Sequence, residues 1–359
     1  MLKTYEIYLI KIFLIKLLNI TIIFFSLVFI LGIFEEISFF KDLTTSFHYP
    51  VLFSLLNAPS ALFEIFPFIF LISTQFLFLD LNKTNELDVF KINGLSNLKI
   101  LRVLFFTSLF LGLIVISFYY NFSAKLKFTY LEIKNSYSND NKYLAVVKES
   151  GLWIKDEVDN KIYITNADTI RGNFLKNVSI NEFDNDFNLI RTIKSQKVEI
   201  SNLEWVVLKA KIFSDNKSIR YKNPIYLTTN FTKKKINSLF DNLTSLNILE
   251  LLKLKKDYSL LGYSQKGVDS HLHKLYSFPL YLSIMTIITA ITMFNIKRNQ
   301  STIFHLVFGV FLSVLIYYFT YLFNLLGVNA KIPLLISVYF PFLILSLFIL
   351  IGLIKINEK

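Results

Sequence analysis

The hydrophobic pattern of the chain changes twice. Long apolar runs, separated by short polar stretches, occupy residues 12–122 and 271–354. Between Phe122 and Ser270 polar and apolar residues alternate instead. A helix needs roughly 20 apolar residues to cross a hydrocarbon layer of about 30 Å. Runs of that length fall at 12–34, 58–79 and 100–122, and again at 271–294, 303–325 and 332–354. The pattern therefore predicts three membrane helices, an inserted polar domain, and three more helices. The first run is too long for a signal-peptide core and lacks a small-residue cleavage site before Glu35-Glu36, so it is expected to be retained. Pro59 near the first turn of the second span, and Pro67 within it, predict a kink whose freed carbonyl a neighbouring helix must satisfy.

Period-two alternation recurs inside the polar island, over 161–164, 177–183, 189–193, 197–200, 205–213 and 219–221. Clusters of Asp, Asn, Gly and Ser separate these stretches, which predicts an antiparallel sandwich or open roll with one apolar inner face. From 244 to 256 the period becomes helical. The expected division is 1–122 for the first three spans, 123–243 for the β domain, 244–270 for a helical connector and 271–359 for the last three spans.

Composition narrows the class. With 38 Phe among 359 residues, 53% hydrophobic and only 18% charged, a single soluble domain would have too much apolar surface to hide. The net charge of +12 comes from basic residues that are scattered or flank apolar runs, which points to a membrane and away from nucleic acid. Lys3, Lys11, Lys83, Lys91, Lys99, Arg102, Lys297, Arg298, Lys355 and Lys359 fall on one side of the predicted spans. Only Lys41 and Lys331 occupy short loops on the other, so both termini are expected in the cytoplasm and the island outside it. The absence of cysteine removes disulfides, thiolate metal sites and a Cys nucleophile.

Catalytic chemistry is thin. Gly262 and Gly267 have phosphate-loop spacing, but Val268-Asp269 stand where lysine and a hydroxyl are required. His271 and His273 are two apart and cannot share a metal on one helix face; His48 and His305 are isolated. No Gly-x-Ser-x-Gly or His-Glu-x-x-His occurs. An enzyme, a metal site or a bound cofactor in this chain is therefore not expected. Two stretches remain informative. Residues 82–99, on the cytoplasmic side, have helical spacing in Leu87, Phe90, Leu95 and Leu98. Asn82 or Thr84 would cap this helix, Glu86 suits its first turn and Gly94 its stop. Such a helix either docks in a groove of a peripheral partner or merely turns the chain at the interface. At the other end of the first span, Glu35, Glu36, Lys41 and Asp42 either meet a charged headgroup or are solvated.

Taken in order, these features resemble the LptF/LptG permease family essentially end to end. Asn85-Glu86-Leu87 with Gly94-Leu95 after it is similar to the family's coupling helix, an acidic residue and then a glycine. Gly151-Leu-Trp-Ile-Lys-Asp156 with Ile162-Tyr-Ile164 resembles the opening strands of its periplasmic domain, in a form closer to the LptG subunit than to LptF. His273-Lys-Leu-Tyr-Ser-Phe-Pro279 resembles the start of its fourth span, and Ile332-Pro333 with Pro341 its last. The resemblance implies an α-helical membrane protein with six spans and an inserted jelly-roll-like antiparallel domain. It would act in the inner membrane as a non-catalytic subunit that extracts lipopolysaccharide. Implied partners are a homologous LptF-like subunit, a cytoplasmic ATPase dimer that binds the ATP and Mg, periplasmic β-jelly-roll bridge proteins, lipopolysaccharide and membrane lipids. The coupling residues would be Asn85, Glu86, Leu87, Phe90 and Gly94, in a helix over 82–94. Phe34, Phe311 and Tyr318 would line a lipid cavity. The family often has lysine where Glu35 stands, so headgroup contact would fall to Lys41, Lys125 and Lys127. The alternatives are a membrane-anchored assembly or sensor protein whose outer domain binds a protein, and an ABC subunit for another lipid or for lipoproteins.

Overall fold

A computed structural model describes residues 3–41, 48–137, 152–158, 161–171, 173–214, 217–233, 242–260, 265–294 and 302–357. Asp42, Gly151, Gly262, Lys297, Arg298 and Lys359 lie outside them. Among the described residues six helices are long and apolar enough to cross a membrane, and an antiparallel sheet lies between the third and fourth. The chain divides into two compact units, Met1–Lys127 with Lys266–Lys359, and Phe128–Gln265. The second unit takes in the helix over Ile248–Leu260 along with the strands.

In the first unit the helices outrun their apolar runs. They are α1 (Thr4–Phe40), α2 (His48–Lys83), α3 (Glu86–Ile92) and α4 (Asn97–Ile114), which passes through a π-helical turn (Val115–Tyr120) into α5 (Asn121–Tyr137). Glu35 and Glu36 lie inside α1 and not in a loop, and Glu36 is buried. Pro59 stands well inside α2, because that helix begins at His48. The π turn widens the helix locally and re-aims the side chains beyond it. Tyr119 then donates to the carbonyl of Pro59 at 3.0 Å. Its neighbour Tyr120 is hydrogen-bonded to His271 at 2.9 Å and packs on Phe63.

After the sheet come α6 (Ile248–Leu260), α7 (Lys266–Phe294), α8 (Thr302–Val328) and α9 (Leu334–Asn357). Pro333 precedes α9 and Pro341 lies within it. Helices α2 and α7 form the buried centre of this unit, sharing the stacked pair Phe63 and Phe278 at 4.5 Å. Helices α1, α8 and α9 have mostly outward-facing apolar side chains. Lipid tails are as apolar as leucine, so these helices are held by close packing and interhelical hydrogen bonds, not by a drive to escape water.

The second unit is built on β1 (Leu152–Val158), β2 (Lys161–Arg171), β3 (Phe174–Phe183), β4 (Leu189–Glu199), β5 (Glu204–Leu208), β6 (Lys211–Ser214), β7 (Lys217–Arg220) and β8 (Ile225–Thr228). The order is β1-β2-β3-β4-β5-β8, with β6 on β4 and β7 on β6. The alternation over 205–213 looks like one strand but is two. Lys209 takes φ +50°, which breaks the run. β5 then pairs with the far end of β4, at Lys197–Glu199, and β6 with its middle, at Thr192–Lys194. Ile154, Ala167, Val178, Ile180 and Ile193 are buried on one face, in register across β1 to β4 as period two requires.

Candidate functional site

Helix α3 sits on the turn between α2 and α4. Asn82 and Thr84 do not cap it. The Thr84 hydroxyl instead closes α2 by donating to the carbonyl of Asp80, and Asn85 occupies the N-cap in a left-handed conformation without a side-chain cap bond. The C-terminus is a Schellman motif: Gly94 N–H donates to Lys91 and Leu95 N–H to Phe90, both at 3.0 Å. That motif needs a left-handed residue past the end, and Gly94 supplies φ +74°.

Of the predicted coupling residues, Leu87, Glu86 and Phe90 turn toward the bundle, while Asn85 and Gly94 stay exposed. Leu87 is buried, Glu86 accepts a 2.7 Å hydrogen bond from the Tyr8 hydroxyl of α1, and Phe90 lies edge-on to the Tyr8 ring at 6.3 Å. These side chains seat the helix. What α3 presents outward is Val89, 52% exposed, and Ile92, 85% exposed, flanked by Asp88 and Lys91. An apolar pair on a charged short helix is the kind of surface that docks into a partner's groove. Sequence spacing misses both residues and Tyr8, because Tyr8 lies 78 positions away from Glu86.

Phe34 on α1 and Phe311 and Tyr318 on α8 all face outward, at 66%, 59% and 58% exposure. They line apolar walls on the two helices. Lys41 is the C-cap of α1 and exposed, and Lys125 on α5 is exposed. Lys127 is half-buried within electrostatic range of Glu64 and Glu35. Lys274 on α7 also faces Glu64. Spacing singles out neither Glu64 nor Lys274, although an ionisable residue within an apolar span is itself a signal.

The sheet curls until its two ends meet. Asp156 on β1 accepts from the Thr229 hydroxyl at 2.6 Å and from the Asn230 backbone and side-chain amides, both at 2.9 Å, just past β8. No ladder joins β1 to β8 among the described residues, so this carboxylate is the clasp between them. Trp205 extends the closure by donating from its indole to Phe231 at 2.8 Å. On the ladder between β2, β3 and β4, Glu182 is 1% exposed and pairs with Lys161 and Arg191. Burial alone would raise its pKa, but the two cations outweigh burial and hold the carboxyl below its usual range. Lys161 is correspondingly raised, chiefly by its hydrogen bond to Glu182.

A family model described as lipopolysaccharide export system permease LptF/LptG matches residues 7–355, nearly the whole chain. No curated protein matches it.

Proposed function

This chain belongs to the LptF/LptG family of lipopolysaccharide export permeases, and from that premise we propose that it is one half of an exporter taking lipopolysaccharide out of the inner membrane. A homologous LptF-like subunit would complete a cavity with this LptG-like one. The Lys and Arg asymmetry supports cytoplasmic termini and a periplasmic β unit. Pulling a multi-chain lipid from the bilayer costs about 0.8 kcal/mol per CH₂, and no phosphate loop in this sequence supplies that energy. The energy comes instead from a cytoplasmic ATPase dimer that binds ATP and Mg, while this chain is non-catalytic.

The observation that carries the reading is α3. It projects Val89 and Ile92 from the turn that joins the second and third spans. Docked in the ATPase, it moves α2 and α4 when nucleotide closes the dimer. Phe34, Phe311 and Tyr318 line the cavity, and Lys41, Lys125 and Lys127 meet the anionic headgroup. The acyl chains then rise into the apolar inner face of the β unit, whose edge strands pair with β-jelly-roll bridge proteins.

The test is purification in detergent from native membranes, with mass spectrometry of proteins and lipids, beside an Ile92→Asp variant. An ATPase and lipopolysaccharide should come with the wild type, and the variant should lose the ATPase while keeping the lipid. If the variant holds the ATPase equally well, the docking role of α3 fails; if no ATPase comes at all, a membrane-anchored binding protein replaces the permease. An ATPase recovered with a different lipid or a lipoprotein overturns the substrate alone.

A further inference from the structure

Gln75 is a buried amide inside the second span, 1% exposed, following the buried Ser73 and Thr74 in an otherwise apolar stretch. Its Nε2 donates to the backbone carbonyl of His305 on α8 at 2.7 Å. The amide lies in the notch left by Gly309, one turn along α8. A Cβ added at Gly309 would collide with the Nε2, Cδ and Oε1 of Gln75 together. The notch and the donor therefore fit each other, and no other residue at 309 leaves this amide where it is.

As a packing choice this is a poor one. The Oε1 of Gln75 has no partner among the described residues, and burying an unsatisfied polar atom is costly. Methionine or leucine would fill the same volume without that cost. A polar side chain kept inside a span at such expense marks a functional position. The placement says what kind. Helix α2 runs at its end into the turn that bears α3, and α8 bears Phe311 and Tyr318. A second donor-in-notch contact holds α1, where Ser54 of α2 donates to Phe29 at 2.6 Å beside Gly32. Helix α1 is also fixed to α2 by Phe13 on Phe70, Phe24 on Phe68 and an ion pair of Lys16 with Asp80.

We infer that Gln75 is a positioning residue: its hydrogen bond into the Gly309 notch transmits displacement of α2 to α8 and so moves that wall of the lipid cavity. The inference rests on the permease reading above. Interhelical hydrogen bonds of this kind shift an equilibrium by about three- to tenfold, so losing this one weakens coupling without dissolving the fold.

The experiment uses the full complex in proteoliposomes, with spin labels on cysteines placed at Lys83 and Tyr321. The chain has no cysteine of its own, so labelling it before reassembly with its partners is specific. In the unsubstituted complex, ATP with vanadate changes the distance between the labels. In Gln75→Met that change is reduced, and ATP hydrolysed per lipopolysaccharide extracted rises about three- to tenfold. Gly309→Ala, which displaces the same amide from the other helix, gives the same result should Gln75→Met fail to assemble. The double variant Gln75→Ala with Gly309→Ala relieves the collision and regains thermal stability but not coupling. Wild-type label movement and lipid yield in Gln75→Met overturn the inference, as does full recovery of coupling in the double variant, which would reduce Gln75 to a space filler. If the unsubstituted complex extracts no lipopolysaccharide or its labels ignore nucleotide, the permease reading itself falls and takes this one with it.

Discussion

The hydroxyl of Tyr8, one turn into α1, donates to the carboxylate of Glu86 at the start of α3. One bond thus ties the first span to the short helix on the turn between the second and third. The Tyr8 ring meets Phe90 on the same side, so the contact is both polar and aromatic.

Removing only the bond separates the two parts. Tyr8→Phe keeps the ring and deletes the donor, and should loosen α3 by about 1 kcal/mol, as for a partly exposed hydrogen bond to a charged group. Tyr8→Ala, which also deletes the ring contact, should cost more. Hydrogen exchange of amides 88–93 in the detergent-solubilised chain reads this directly. Unchanged exchange in Tyr8→Ala would mean α3 is held by α2 alone.

Gly94 gives a second test at the other end of the same helix. Its φ of +74° is one that a side chain resists, although nothing lies within 4 Å of an added Cβ. Gly94→Ala is therefore a purely backbone perturbation, expected to cost about 1 kcal/mol and to fray the last turn at Ile92. Lower ATPase recovery with unchanged overall thermal stability is the expected reading.

The reason α3 is legible in the sequence and its contact surface is not lies in the range of the forces involved. Leu87, Phe90 and Gly94 announce a helix and its stop through local spacing and one backbone requirement. Whether Leu87 points inward or toward a partner is decided by α1, and that is tertiary information. The same division holds elsewhere. Six apolar runs make the spans readable, yet hydropathy ends α1 and α2 several residues too early, because polar residues such as Glu36 continue a helix once neighbours bury them. Alternation marks the strands, but not the break at Lys209, where a positive φ in a non-glycine residue leaves no composition signal. Of the site residues, Phe34, Phe311 and Tyr318 are reachable as apolar residues on spans. Gln75 is visible as a polar residue in an apolar run, but its fit to Gly309 needs the helix crossing.

Asp156 offers a test within the β unit. Its carboxylate satisfies three donors from Thr229 and Asn230, and β1 has no ladder partner on that side among the described residues. Asp156→Ala strands those donors and should cost about 1–3 kcal/mol. Because the clasp is local, exchange should rise first in β1 and at residues 229–231, while β3 and β4 keep their protection. Uniform loss across all strands would mean the clasp holds the whole fold together.

The Glu182 cluster makes the β unit sensitive to acid. Glu182 has a folded pKa below its unfolded one, so its stabilisation is complete above the unfolded value and is lost as pH falls through the folded value. Lys161 is shifted the other way, and its contribution disappears only as pH rises through a raised lysine value. Near neutrality both are present and stability is flat. On the acid side only Glu182 acts, since protonation leaves Lys161 and Arg191 facing a neutral group. Glu182→Gln should therefore lose about 1–3 kcal/mol at neutral pH, and its stability should fall less steeply than that of the wild type as the solution is acidified. Thermal unfolding of the strands, followed by exchange at neutral and acidic pH, gives both numbers. A variant that keeps the wild-type acid slope would assign that slope to other carboxylates. Asp184 is then the first to examine, because hydrogen bonds from Asn188 also hold its pKa down.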